Sequence, residues 1–300
     1  MNKVRTAKQQ SASLPSAKKS PWKGLRAQKT IMKVVEWIAA LILGFIVLFP
    51  VIWILRSSFQ APVDLFSKEL VSLLDSFTLD NYITVLSDPT LIAALRNSLI
   101  VAGGSTLISV VVGILSAYAF TRLRFRGRNV MFVGVLLTQM LPGIVLVIPM
   151  YMIMRKLGLL SNYTGLLLAY ISFTLPYCIW LQRAFMVNAP WELEDQARVD
   201  GCTRLGALIR AILPTIAPGL VTTLIYAFVN AWNEYLFAVI LTNPDTKTIT
   251  VRLAEYVSQE RVAVEYMFPA AIIATLPILI LVTIFSRYII SGLTKGAIKG

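Results

Sequence analysis

Pro190-Trp-Glu-Leu-Glu-Asp-Gln-Ala-Arg-Val-Asp-Gly201, continued by Ala207-Leu-Ile-Arg-Ala-Ile-Leu-Pro214, is a charged, helix-forming stretch set between two long apolar runs. Pro190 suits the first turn of a helix, and Glu192, Glu194 and Asp195 favour the positive N-terminal end of its dipole. Gly201 suits the positive φ that ends a helix. A short helix is therefore expected from Trp191 to about Asp200. A second is expected from Thr203 to Leu213, where Leu205, Leu208, Ile209 and Ile212 recur at three- and four-residue steps until Pro214 interrupts the pattern. Two short helices joined at a glycine elbow form a polar knob that an otherwise apolar chain offers to a soluble partner. The plain alternative is a solvated loop whose charges only keep it out of lipid.

Outward from this stretch the chain is membrane-like. Hydrophobic residues make up 57% of its 300 positions and charged ones 14%, with a mean hydropathy of +0.71, which excludes an ordinary soluble domain. A bilayer core of roughly 30 Å needs about 20 apolar residues in a helix. Six stretches approach that length: 37–55, 99–120, 130–154, 164–181, 218–241 and 268–286. The first is too long, and too well followed by further spans, to be a cleaved leader. Lys3, Arg5, Lys8, Lys18, Lys19, Lys23, Arg26 and Lys29 crowd the N-terminus, Arg122, Arg124, Arg126 and Arg128 fill the second connection, and Arg183, Arg198, Arg204 and Arg210 lie in the polar interruption. By the positive-inside rule these segments face the cytoplasm, and with six spans both termini do. The loop Ala61–Asp88 fits the opposite side, carrying Asp64, Glu69, Asp75, Asp80 and Asp88 against Lys68 alone. Residues 1–30 read as a disordered basic tail near anionic lipid, and 31–300 as the membrane domain.

The net charge of +13 sits in short blocks between apolar runs, which is the distribution of topology signals and not of a nucleic-acid surface. Cys178 lies in an apolar run and Cys202 in the polar interruption, so no disulfide joins them and neither has metal-site companions. The chain has no His, the commonest general base and metal ligand, so no catalytic or metal site is expected. No G-x-x-x-x-G-K-[ST] loop is present to cradle nucleotide phosphates.

Glu234 is the sharpest intramembrane signal. It lies about nine residues before the Asn243-Pro244 turn, roughly 14 Å along a helix, hence near mid-bilayer. A carboxylate there is costly unless it faces water or a partner. Asn230 and Asn233 accompany it, Trp232 and Tyr235 offer ring faces, and Gln139, Tyr170 and Ser172 are further candidates for a polar path. The same residues also serve as helix–helix glue or packing. Pro142, Pro149, Pro176 and Pro277 lie within spans and are expected to kink them.

The polar interruption resembles the cytoplasmic EAA loop of permease subunits of ABC importers, whose pattern is Glu-Ala-Ala, three residues, Gly, nine residues, Ile, one residue, Leu-Pro. Asp195-Gln196-Ala197 stands at the Glu-Ala-Ala position, Gly201 is in register and Leu213-Pro214 closes the motif; Asp for Glu, Gln for the first Ala and Ala211 for Ile are departures, and Glu194 is an alternative acidic residue. From about Asn97 onward the chain is similar to MalG-like permeases of carbohydrate-uptake ABC importers, through Ser116-Ala-Tyr-Ala-Phe-Thr-Arg122, Pro149-Met-Tyr151, Leu157-Gly-Leu159, Trp191-Glu-Leu-Glu194, Asp200-Gly201, Trp232-Asn-Glu234 and Gly292-Leu-Thr-Lys-Gly-Ala-Ile-Lys-Gly300.

The resemblance implies an all-α, six-helix polytopic fold of the type I importer kind in a bacterial or archaeal inner membrane. It implies partners: a second, homologous (MalF-like) permease, a homodimeric ABC ATPase docked on the knob, an extracytoplasmic solute-binding protein, and lipid. No cofactor is implied on this chain, ATP and Mg belonging to the ATPase. Glu194, Asp195, Gln196, Ala197, Asp200 and Gly201, closed by Leu213 and Pro214, would form the coupling surface, and the solute would be a sugar or oligosaccharide. A non-sugar solute stays open, and so does an ion-coupled secondary transporter using Glu234. A membrane enzyme lacks a nucleophile–base pair.

Overall fold

The computed structural model describes residues 21–61, 77–257 and 263–297. Residues 1–20 of the expected tail, and Asp64, Glu69 and Asp75 of the expected acidic loop, lie outside them. The described residues are almost wholly helical, with one isolated bridge between Gln60 and Phe77. The helices are α1 (Pro21–Ser58), α2 (Asp80–Leu86), α3 (Pro89–Arg122), α4 (Arg128–Leu137), α5 (Gly143–Lys156), α6 (Tyr163–Val187), α7 (Glu192–Val199), α8 (Arg204–Ala207), α9 (Leu213–Thr215), α10 (Ala217–Trp232), α11 (Leu236–Leu241), α12 (Ile249–Ala254) and α13 (Val264–Ala297). Because α1 begins at Pro21, the last ten residues of the expected disordered tail are helical.

The chain divides into two compact units, Met1–Ile54 and Leu55–Gly300. In the first, α1 exposes apolar side chains all round, from Ile31 and Leu41 to Trp53. A helix that is apolar on every face belongs in lipid. Phe45, Phe49 and Trp53 stack along it, with centroid separations of 5.7 and 6.0 Å.

Four helices are long and apolar enough to cross a membrane, 31–58, 89–122, 163–187 and 264–286, and two bent pairs qualify only when each pair counts as one span. The expected continuous third span is one of these, bent by 100° between Arg128–Met140 and Gly143–Lys156. Pro142 offers no N–H, and Leu141 before it is extended, at ψ 126°. The expected fifth span, 218–241, is also not continuous: α10 ends at Trp232 and α11 restarts at Leu236. Pro149, Pro176 and Pro277 stay inside helices.

The second unit is built around α3 lying along α6, with α10 against both. Small residues recur on the buried face of α3, namely Ala102, Ser105, Ser109, Gly113 and Ala117, as do Gly165, Ala169 and Cys178 on that of α6, and Gly113 lies directly against Cys178. Small residues let backbones approach, and lipid gives apolar side chains no other reason to associate. Ser109 shares a 2.7 Å hydrogen bond with Thr174, and Gln182 donates to the Val110 carbonyl at 3.2 Å.

At the far end of α3, Asn97 donates to the carbonyls of Asp245 and Lys247 and accepts from the Tyr163 hydroxyl. Arg252, just before the end of α12, ion-pairs with Asp88 at 2.8 Å. Burial alone would raise the Asp88 carboxyl, but hydrogen bonds from Arg252 and Thr90, with the guanidinium charge, outweigh it and bring it down to about 2.

Two outcomes are expected. A Cβ at Gly113 would meet the Cys178 Cβ at 2.9 Å and the Gln182 amide oxygen at 2.6 Å. Gly113→Ala should therefore lower the melting midpoint in detergent, at a cost of about 1–3 kcal/mol. The Asp88 carboxyl titrates lower in the folded chain than its unfolded value near 4, so its stabilisation is present above about pH 4 and is lost as pH falls toward about 2. The melting difference between wild type and Asp88→Asn should shrink across that window.

Candidate functional site

The knob forms as its residue types dictate. Helix α7 carries Glu192, Glu194 and Asp195 in its first turn, and Gly201 has φ +88°. The amide of Cys202 bonds the Ala197 carbonyl at 2.9 Å and that of Gly201 bonds Arg198 at 3.1 Å, the paired bonds that close a helix on a left-handed residue. Thr203 then caps the second helical run by accepting from the Gly206 amide at 3.1 Å. That run passes through a π turn at Leu208–Ile212 and continues through Pro214, ending at Ile216, where the chain bends by 84° into α10.

Its apolar stripe divides. Leu208, Ile212 and Ile216 bury against Ala117 and Tyr118 of α3 and against Met186 and Ala189 at the end of α6, whereas Leu205 and Ile209 are exposed. Asp195, Gln196, Asp200, Gly201 and Pro214 are exposed, and Ala197 and Leu213 half-buried. Val199 is 88% exposed. An open face mixing carboxylates, a bare glycine and an apolar side chain is what a protein partner reads.

Glu194 sits differently. It is 6% exposed, the one buried residue of α7. Its Oε1 accepts from the Tyr118 hydroxyl at 2.6 Å and its Oε2 lies 3.8 Å from Arg122 Nε. Arg122 also donates to the Ala189 carbonyl at 2.7 Å and lies 4.2 Å over the Trp191 ring. The carboxylate expected to meet a partner thus points into its own chain, and Asp195 is left as the outward acid. Arg122, read from sequence as a topology charge, is buried and engaged.

A cavity of about 650 Å³ lies among α5, α6, α10 and the break before α11, with Thr138, Gln139, Ser172, Asn230 and Glu234 as its polar lining and Leu146, Met150, Phe173 and Phe237 among the apolar. The break is held by its own residues. Both Glu234 carboxylate oxygens accept from the first amides of α11, Phe237 at 2.8 Å and Ala238 at 3.1 Å. Its carbonyl takes the Thr250 hydroxyl at 2.7 Å and the Tyr170 hydroxyl at 3.4 Å. Gln139 donates to the Phe173 carbonyl at 3.2 Å.

Gln139, Asn230 and Glu234 therefore line one cavity, together with Ser172. Tyr170 is buried behind them, holding the break. Asn233 is exposed and lies outside this lining. Trp232, expected to offer a ring face, is a core residue stacked on Phe228 at 5.5 Å. Sequence reasoning gives Thr250 and Tyr118 no role of their own and Arg122 only that of a topology charge. Tyr118 and Arg122 stand four apart in Ser116–Arg122, one helical face, and that spacing was their signal.

A family model described as the binding-protein-dependent transport system inner membrane component matches residues 109–295. The chain is 37% identical to the sulfoquinovosyl glycerol transport system permease SmoH of Agrobacterium fabrum, over 89% of this chain and 94% of that one. It is 35% identical to the trehalose/maltose transport system permease MalG of Thermococcus litoralis, over 91% and 99%. Its fold is similar to that of a chain in a bacterial ABC transporter that imports alginate, with TM-score 0.76 and 22% identity over 87% of this chain and 98% of that one.

Glu234→Ala should leave the Phe237 and Ala238 amides without their acceptor, costing about 1 kcal/mol as the loss of a helix cap does. A lower melting midpoint in detergent checks this, and Glu234→Gln, which keeps one acceptor oxygen, should lose less.

Proposed function

Because the chain belongs to the family of binding-protein-dependent transport system inner membrane components, we propose that it forms half of the pore of an ATP-driven importer of a sugar or oligosaccharide. The observation that carries this reading is the knob: a capped double helix with an open carboxylate–glycine face, seated on the ends of the long helices α3 and α6. A docking plug needs that combination of rigid mounting and exposed tip. The names of the relatives, which concern glycosides and disaccharides, support the solute class.

In this reading Asp195, Gln196, Ala197, Asp200 and Gly201 meet a separate ATPase that binds ATP and Mg, and the stretch closed by Leu213 and Pro214 returns the chain to the membrane. A second, homologous permease supplies the other half of the pore, and an extracytoplasmic binding protein delivers the solute. With the bent segment 128–156 counted as one crossing and α10 with α11 as another, the four unbroken helices bring this reading to six crossings, which puts both termini on the side of the arginines. Arg122–Arg128 and the knob share one end of α3, and the arginine excess assigns that end to the cytoplasm. The cavity of Gln139, Asn230 and Glu234 lies on the solute path, where amides, a hydroxyl and a carboxylate suit sugar hydroxyls. Asn233, exposed beside the break, is reached on entry, and Tyr170 holds the break behind it.

Closure of the ATPase pair would then reach the pore as rigid-body motion of the knob. A secondary transporter would leave the knob without a task.

The tagged chain, extracted from its native membrane in mild detergent, should bring down an ATPase and a second permease. Reconstituted, that complex should take up a sugar only with ATP and the binding protein. Ion-driven uptake by the chain alone would overturn the reading, and ATP-driven uptake confined to a non-sugar solute would overturn the substrate class. A Cβ at Gly201 has open space around it within this chain, so Gly201→Val acts through backbone strain, about 1–3 kcal/mol, and through its bulk on the docking face. The variant should insert normally and lose ATPase retention roughly tenfold.

A further inference from the structure

The knob is joined covalently to α6 and α10 but not to α3, and yet α3 makes its most specific contacts. We infer that Glu194, Tyr118 and Arg122 are positioning residues that clamp α3 to the knob, so that α3 moves with it during transport instead of standing with the static part of the pore.

The geometry points this way. Tyr118 and Arg122 are one helical turn apart on the last stretch of α3 and grip the entry to α7 at three places: the Ala189 carbonyl, the Trp191 ring and the Glu194 carboxylate. These contacts surround the point where α6 gives way to the knob, and the cluster of Ala117, Leu208 and Ile212 fills the space beside them. The ion pair is buried on both sides, with side chains 1% and 8% exposed. Arg122 Nε and Nη1 and Glu194 Oε2 have no hydrogen-bond partner. Buried and short of a full set of hydrogen bonds, the two charges rely on each other and on Tyr118, Ala189 and Trp191, so separating α3 from the knob would strip both of most of that compensation. A surface ion pair would yield; this one holds the two elements as one body.

The consequence for transport follows from the packing. Helix α3 lies along α6 through small residues and against α10, so the clamp completes a block of α3, α6, α10 and knob. The cavity of about 650 Å³ lies between the α6 and α10 side of that block and the bent α4–α5 segment. Tilting the block as a unit opens or closes the cavity against α5. A knob that swivelled alone would leave it unchanged.

The inference rests on the reading that the knob docks an ATPase, and its test separates the two. Tyr118→Phe and Glu194→Gln are introduced into the full importer complex, and ATPase retention and solute uptake per ATP hydrolysed are measured. Both variants should keep the ATPase and lower uptake per ATP at least fivefold, the lower end of a coupling free energy between sites. Because they break one connection, the double variant should be no worse than the more affected single one. Unchanged uptake per ATP would overturn the clamp, and so would loss of the ATPase in Glu194→Gln, which would make Glu194 a docking residue. Should Glu194→Gln fail to fold, Tyr118→Phe decides together with a spin-label distance between Leu115→Cys on α3 and Glu192→Cys on α7, with Cys178→Ala and Cys202→Ser removing the native thiols. In the wild-type background this distance should be the same with and without trapped nucleotide, and in Tyr118→Phe its distribution should broaden. A wild-type shift of about a helical turn, roughly 5 Å, would overturn the inference. In the isolated chain the clamp predicts the same narrowness whether or not an ATPase is ever found.

Discussion

Lipid offers no hydrogen bonds, and every other feature of this chain is shaped by that. Long helices satisfy their own backbone, which is why the described residues hold almost nothing else. Where a helix is given up inside the apolar region, side chains must take over its lost partners. Between α10 and α11 the Glu234 carboxylate supplies the acceptors that the first amides of α11 lack, while Thr250 and Tyr170 supply donors to its carbonyl. The break is not a defect of packing. It is a small polar structure built to survive where water is scarce, and it opens onto the one described cavity lined by Glu234.

The same constraint works at the knob from the other direction. A polar element at the membrane edge is exposed to solvent on one side and must seat firmly on helices on the other. Leu208, Ile212 and Ile216 supply the apolar seat, and Glu194 with Tyr118 and Arg122 supplies a polar fastening. The tip is left to Asp195, Asp200 and Gly201. Seat and tip are thus made by different residues of the knob, with the neighbouring acids Glu194 and Asp195 of α7 facing opposite ways.

Much of this was legible in the sequence. Composition and run length gave the membrane class, Gly201 announced its elbow, and the acidic first turn announced α7, because these depend on a residue and its near neighbours. What depended on distant partners was not legible. Glu194 and Asp195 are equivalent by charge and position, and only Tyr118, 76 residues away, decides which is buried. The apolar stripe from Leu205 to Ile212 did not say that half of it would be exposed. The break at 233–235 contains neither Pro nor Gly, so nothing local announced it. Pro142 did announce a kink, but not a bend of 100°.

The order of the chain adds a point about how the buried carboxylate comes to be tolerated at all. Both side chains that receive the Glu194 carboxylate, Tyr118 and Arg122, lie earlier in the sequence. A ribosome making the protein therefore delivers this acid last, into a receptor already synthesised, and the charge need never wait at the bilayer edge for its counterpart to be translated.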